Sequence, residues 1–138
     1  MRFPILVLLL TALTFGQRPA APELRVLCWN VWTGFSGEAT LTDGAQWVAE
    51  QQADVVALQE LVGIDEVRLA EWAQGWGHAH VAKSKPSGYA VGLTAREPIE
   101  VIERRTEGLH HGYLHARVAG VDYLVVHLHP GSWEFRLR

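Results

Sequence analysis

Asp54-Val-Val-Ala-Leu-Gln-Glu60 is the stretch that decides the fold. Its unbroken apolar centre, with a helical pattern on either side, reads as a strand buried on both faces. A strand of that kind lies inside a sheet with helices packed outside it, and open α/β sheets place ligand groups beyond the carboxyl ends of their strands. Gln59 and Glu60 occupy that end.

Upstream, Leu24-Arg-Val-Leu-Cys-Trp-Asn-Val31 lies between Pro22 and Gly34 and reads as another strand buried on both faces, with Asn30 at its carboxyl end. Between the two strands Ala45, Val48, Ala49 and Gln52 recur at helical spacing, and Thr42 or Asp43 can cap the helix start. Downstream, Leu69, Trp72, Ala73 and Trp76 fall on one face of a helix that starts at Asp65 and ends at Gly75 and Gly77. The pattern then changes to strands: 78–83, 88–95, 99–105, 113–119 and 121–129, with a hairpin at Ala119-Gly-Val-Asp122. This order predicts an α/β layered protein with a mixed sheet. The tryptophans Trp47, Trp72 and Trp76 are expected to face the core from their helices.

A chain of 138 residues with 49% hydrophobic and 20% charged side chains fits one globular domain and excludes a disordered one. Residues 1–16 carry an early Arg2, a short apolar run and the small residues Thr14 and Gly16, the layout of a secretory signal peptide. Residues 17–23 are a polar linker, and no stable membrane anchor is expected. The protein is therefore expected to be secreted or periplasmic. A net charge of −3 does not favour a strong grip on nucleic acid, which draws on clustered Lys and Arg. Cys28 stands alone, so no internal disulfide forms, and its apolar strand predicts a buried thiol.

Among residues able to do chemistry, Glu60 offers the oxygen donor that Mg²⁺ takes, and Asn30 has the equivalent place on the preceding strand. Taken singly, each is equally a turn residue. His127 and His129 are two apart on a strand and project to one face. Such a pair can serve as acid and base or bind zinc, although His78 and His80 repeat the spacing, and zinc requires further ligands. His110 and His111 add candidates without a pattern.

Four segments taken together, Arg25-Val-Leu-Cys-Trp-Asn-Val31, Ala53 to Glu60, Ser87 to Ile99 and Tyr123-Leu-Val-Val-His-Leu128, resemble the endonuclease/exonuclease/phosphatase family in order and spacing. The resemblance covers residues 24–138. It implies a DNase I-like four-layer α/β sandwich that hydrolyses phosphate esters with Mg²⁺ or Mn²⁺, whether as nuclease, phosphodiesterase or phosphatase. It implies Glu60 as the metal-binding carboxylate, Asn30 as the polar residue supporting metal and phosphate, and His127 as the histidine that meets the phosphate, with His129 as the runner-up. Arg136 is then a phosphate partner or a structural residue.

The family's later motifs, an Asp-x-Asn segment, a further Asp and a final Asp-His, have no counterpart here. The expectation is thus an amino-terminal half of the sandwich, inactive alone, with an apolar sheet face uncovered. The competing expectations are a non-catalytic half-domain that needs a partner chain, and an exported zinc-binding protein built on the His-x-His pairs.

Overall fold

The computed structural model describes residues 23–36 and 38–128, with residues 38–40 described by backbone alone. Strand β1 (Val26–Asn30) leads through a four-residue turn, α1 (Trp32–Phe35), into helix α2 (Glu38–Gln51) and strand β2 (Val55–Gln59). Helix α3 (Glu66–Gly75) follows, then β3 (His80–Lys83), β4 (Gly92–Ala95), β5 (Ile99–Arg105), β6 (Tyr113–Val118) and β7 (Val121–Val126). Two sheets form, one in the order β1-β2-β4-β3 and one in the order β5-β6-β7. β1 and β2 run parallel from Val26 opposite Val55 to Asn30 opposite Gln59, so both strands end at the same edge. β4 pairs antiparallel with both β2 and β3.

Alternation along β2 assigns its side chains to two cores. Val56 and Leu58 face the helices, among Leu69, Trp72 and Ala73 of α3 and Val48 of α2. Val55 and Ala57 face the second sheet and meet Leu114, Ala116, Val118 and Val125. The described residues therefore build three layers, helices over a sheet over a sheet, with every residue of β2 buried. Burial of each of these leucine and valine side chains contributes about 1.5–3 kcal/mol. Asp65 caps α3 by accepting the Arg68 N–H at 2.8 Å, as expected of an N-cap aspartate.

Several expectations are corrected. Among the described residues β1 pairs only with β2, and its exposure alternates because Leu27 and Trp29 pack on the helix-side core while the opposite face is open, Val26 being 51% exposed. Cys28 is exposed accordingly, its Sγ accepting from Gln59 Nε2 at 3.3 Å. Helix α2 starts at Glu38, four residues before Thr42. Trp72 and Trp76 are buried as expected, but Trp47 is only half covered, packed edge-on against Trp29 at 4.9 Å. β4 starts at Gly92 instead of Gly88 because the loop 84–91 holds itself by other bonds, Ser84 N–H to Val91 O at 2.9 Å and Val91 N–H to Ser84 Oγ at 3.1 Å, and β3 starts at His80 instead of His78, whose N–H closes the end of α3 on the Ala73 carbonyl at 2.8 Å. The outward face of the second sheet exposes Leu124 and Val126 beside the Arg117–Asp122 ion pair. Residues 1–16 and 17–23 (apart from Glu23), His129 and Arg136 lie outside the described residues, so the signal, linker and His-x-His readings find no structural counterpart here. Among the described residues no helix is long and apolar enough to cross a membrane.

Candidate active site

The site grows from the shared edge of β1 and β2. Leaving β1, the chain turns sharply, with Trp32, Thr33, Gly34, Phe35 and Ser36 all in the left-handed region. Four of those five residues carry a Cβ, for which this backbone is unfavourable and persists only where the surroundings enforce it. The enforcing bonds are visible. Trp32 N–H donates to Asn30 Oδ1 at 2.9 Å, Thr33 N–H donates to Glu60 Oε2 at 2.9 Å, and Gly34 N–H donates to the Glu60 carbonyl at 2.8 Å. Glu60 is itself left-handed, at φ 63°. Asn30 Nδ2 donates to Glu60 Oε1 at 2.9 Å, so the donor on one side of the Asn30 amide and the acceptor on the other fix its orientation.

His127 follows directly on β7, one strand period beyond the buried Val125. Its Nε2 lies 3.6 Å from Glu60 Oε1, and its Nδ1 is buried without a hydrogen-bond partner among the described residues. His111 stacks on it with ring centroids 4.2 Å apart and planes 30° apart. Tyr89 meets His111 edge-on at 5.4 Å. Trp32, Thr33, Glu60, Tyr89, His110, His111 and His127 line one open pocket of about 480 Å³. That volume lies in the range of small-molecule sites.

The Asn30 and Thr33 hydrogen bonds hold the Glu60 carboxyl below its ordinary range, assisted by the charges available to His127 and His111 and opposed by partial burial. Glu60 is therefore a fixed carboxylate at working pH. Each of its oxygens takes one protein hydrogen bond and keeps a further lone pair, and the side chain is 18% exposed. This suits a hydrated Mg²⁺, which is commonly held by one or two carboxylates and keeps several waters. Among the described residues no group of three or more His, Cys, Asp or Glu is placed to cage an ion, as a structural zinc site requires.

Asn30, Glu60 and His127 are thus brought together. His78 is not: Nε2 donates to the Ala53 carbonyl at 2.9 Å, while Nδ1 meets Thr94 Oγ1 at 2.8 Å in the core. Tyr89 and Trp32 were not singled out from the sequence as site residues, and His111 was a candidate without a pattern. Each comes from a loop or turn, and only the pairing of β6 with β7, which sets Tyr113 opposite Val126, brings the 110–112 loop to His127. The adjacent His110-His111 pair was the one available signal.

No curated protein matches the chain. Among solved structures, an AP endonuclease from Archaeoglobus fulgidus is similar at TM-score 0.54 and 21% identity, covering 74% of this chain and 40% of that one. The 3' phosphatase NExo from Neisseria, bound to product DNA hairpin, is similar at TM-score 0.54 and 20% identity, again over 74% of this chain and 40% of that one. At such identities the likeness establishes the fold, which is DNase I-like, and this chain spans about 40% of the length of either structure. The sequence pattern described as Endonuclease/Exonuclease/phosphatase family matches residues 27–136, nearly the whole of the chain beyond its first segment. The chain belongs to the endonuclease/exonuclease/phosphatase family.

Proposed function

We propose that the chain carries the Glu60–His127 part of the active site of a secreted, Mg²⁺-dependent phosphoesterase. The observation that carries this reading is the convergence of a carboxylate held ionised by Asn30 and the Thr33 N–H with an imidazole 3.6 Å away in one pocket. Glu60 holds the metal ion, which when bound polarises the phosphoryl group and offsets the charge that builds up as water attacks. Asn30 orients Glu60, since both ends of its amide are committed to the carboxylate and to Trp32 N–H. His127 meets the phosphate and delivers a proton to the leaving oxygen, the general-acid task a positioned imidazole performs.

The test is hydrolysis of a model phosphodiester by the full product of the gene, with and without Mg²⁺. Glu60→Ala and His127→Ala should each lower turnover on the order of a hundredfold or more. Full activity in either variant removes that residue from the site, and unchanged activity in chelator removes the metal.

A further inference from the structure

His127 presents one of its nitrogens to the carboxylate: Nε2 lies 3.6 Å from Glu60 Oε1. An imidazole in a working site ordinarily has its orientation set by a hydrogen bond to the nitrogen that does not react. In this ring that nitrogen is Nδ1, which is buried without such a partner among the described residues. The torsion that turns a histidine ring about its Cβ–Cγ bond is broad and does not hold the ring by itself. What lies against the ring is His111, with centroids 4.2 Å apart and planes 30° apart.

His111 is 5% exposed and is itself held in place. Tyr89 meets it edge-on at 5.4 Å, His110 meets it edge-on at 4.3 Å, and Lys85 Nζ donates to the His110 carbonyl at 3.3 Å. The register that pairs Tyr113 of β6 with Val126 of β7 carries Gly112 to the level of His127 and sets His111 one residue beyond. Gly112 has φ +75°, and a Cβ there would stand 2.6 Å from the Arg105 carbonyl, so a glycine lets the loop between β5 and β6 close this tightly.

We infer that His111 is a positioning residue: its ring fixes the plane of the His127 imidazole, so that the Nε2 edge stays turned to Glu60 and the reacting phosphate. The inference rests on the phosphoesterase reading for the role of His127. His111 acts through His127, and what it contributes is a flat surface, not its nitrogens. Without the stack the His127 ring tilts and carries Nε2 out of place, and a misplacement of about 1 Å can cost on the order of a hundredfold in rate.

The experiment compares the full product of the gene with its His111→Ala, His111→Gln, His111→Phe and His127→Ala variants. Two quantities are read: hydrolysis of a model phosphodiester with Mg²⁺, as kcat and KM per folded molecule, and ¹³C relaxation of the rings in histidine-labelled protein. His111→Ala should lower kcat by about tenfold to a hundredfold and leave KM within about twofold, the split expected when an interaction needed only in the transition state is lost. His111→Gln, polar but without a ring, should do the same, and it carries the comparison if the alanine variant does not fold. His111→Phe should keep kcat within about threefold of the wild type, since a phenyl ring offers the same kind of face. The His127 ring should be rigid in the wild type and in His111→Phe, and mobile in His111→Ala and His111→Gln. With His127→Ala impaired, an unchanged kcat in His111→Ala, a raised KM in place of a lowered kcat, a phenylalanine variant as slow as the alanine one, or a His127 ring equally rigid throughout would each overturn the positioning role and leave the phosphoesterase reading standing. A glutamine variant as fast as the wild type would also overturn it, by assigning the role of His111 to a hydrogen bond. Full activity in His127→Ala would instead contradict the phosphoesterase reading, and this inference with it.

Discussion

Glu60 shows how much a single residue's chemistry depends on partners that sequence does not place. Its position after an apolar strand marked it as a ligand candidate; its ionisation follows from Asn30, thirty residues earlier, and from the Thr33 N–H. Asn30→Ala should raise the Glu60 pKa toward the ordinary 4.5, measurable by titrating the side-chain carboxyl with ¹³C NMR. A carboxyl depressed in the native state contributes stability that is present above its unfolded pKa and lost as pH falls through the native value. The variant should therefore show a weaker acid dependence of stability from this residue, and an unmoved Glu60 titration would contradict the assignment. His78 presents the complementary case. Burial pushes its pKa down, outweighing its bond to the Ala53 carbonyl, and a neutral ring satisfies the chain from Trp76 Nε1–H to Thr94 Oγ1, from the Thr94 hydroxyl to His78 Nδ1, and from His78 Nε2–H to Ala53. Stability from this residue is present above its unfolded pKa of about 6.5 and is lost as pH falls toward its lower native value. Urea midpoints at pH 7.5 and 5.5 should fall apart more for the wild type than for His78→Gln. Equal gaps would show that the buried ring does not titrate between those values.

At the scale of elements, the helices and the central strand were legible because hydrophobic spacing reports burial directly, as in β2 and on the Leu69–Trp72–Ala73 face of α3. The edge place of β1 among the described residues was not, because Leu24 to Val31 is as apolar as β2 and only the strand order shows that, of the described strands, β2 alone pairs with it. The left-handed turn after β1 was equally hidden. Its conformation is imposed by Asn30 and Glu60, and only Gly34 within 32–36 favours it intrinsically. A Cβ on Gly34 would stand 2.4 Å from the Val62 carbonyl, with φ at +68°. Gly34→Ala should thus cost on the order of 2 kcal/mol or more, from left-handed strain plus the clash. It should also disturb the Thr33–Glu60 bond, seen as a shift of the Thr33 amide resonance. Wild-type stability in that variant would mean that the turn relaxes freely.

For the whole molecule, the two-sheet arrangement sets which side chains matter. Leu114 sits fully buried between the sheets, whereas Leu124, on the neighbouring strand but facing outward, is 63% exposed. Leu114→Ala should cost about 2–5 kcal/mol and Leu124→Ala within about 0.5 kcal/mol, read from urea unfolding. Comparable costs would place both faces of β5–β7 in contact with other parts of the protein. The sandwich itself was legible only when four segments were taken together, since the same strands read singly allow several layered folds; the pocket wall of Tyr89 and His111 emerges only once the 84–91 and 110–112 loops are folded over the sheet edge. The central claim is that Glu60 holds a divalent metal in this pocket, and the most direct measurement is paramagnetic broadening by Mn²⁺ in the amide spectrum of the chain. The account predicts selective loss of the Thr33, Glu60 and His127 resonances at substoichiometric Mn²⁺, abolished by Glu60→Gln. Broadening located elsewhere, or unchanged in Glu60→Gln, would contradict it.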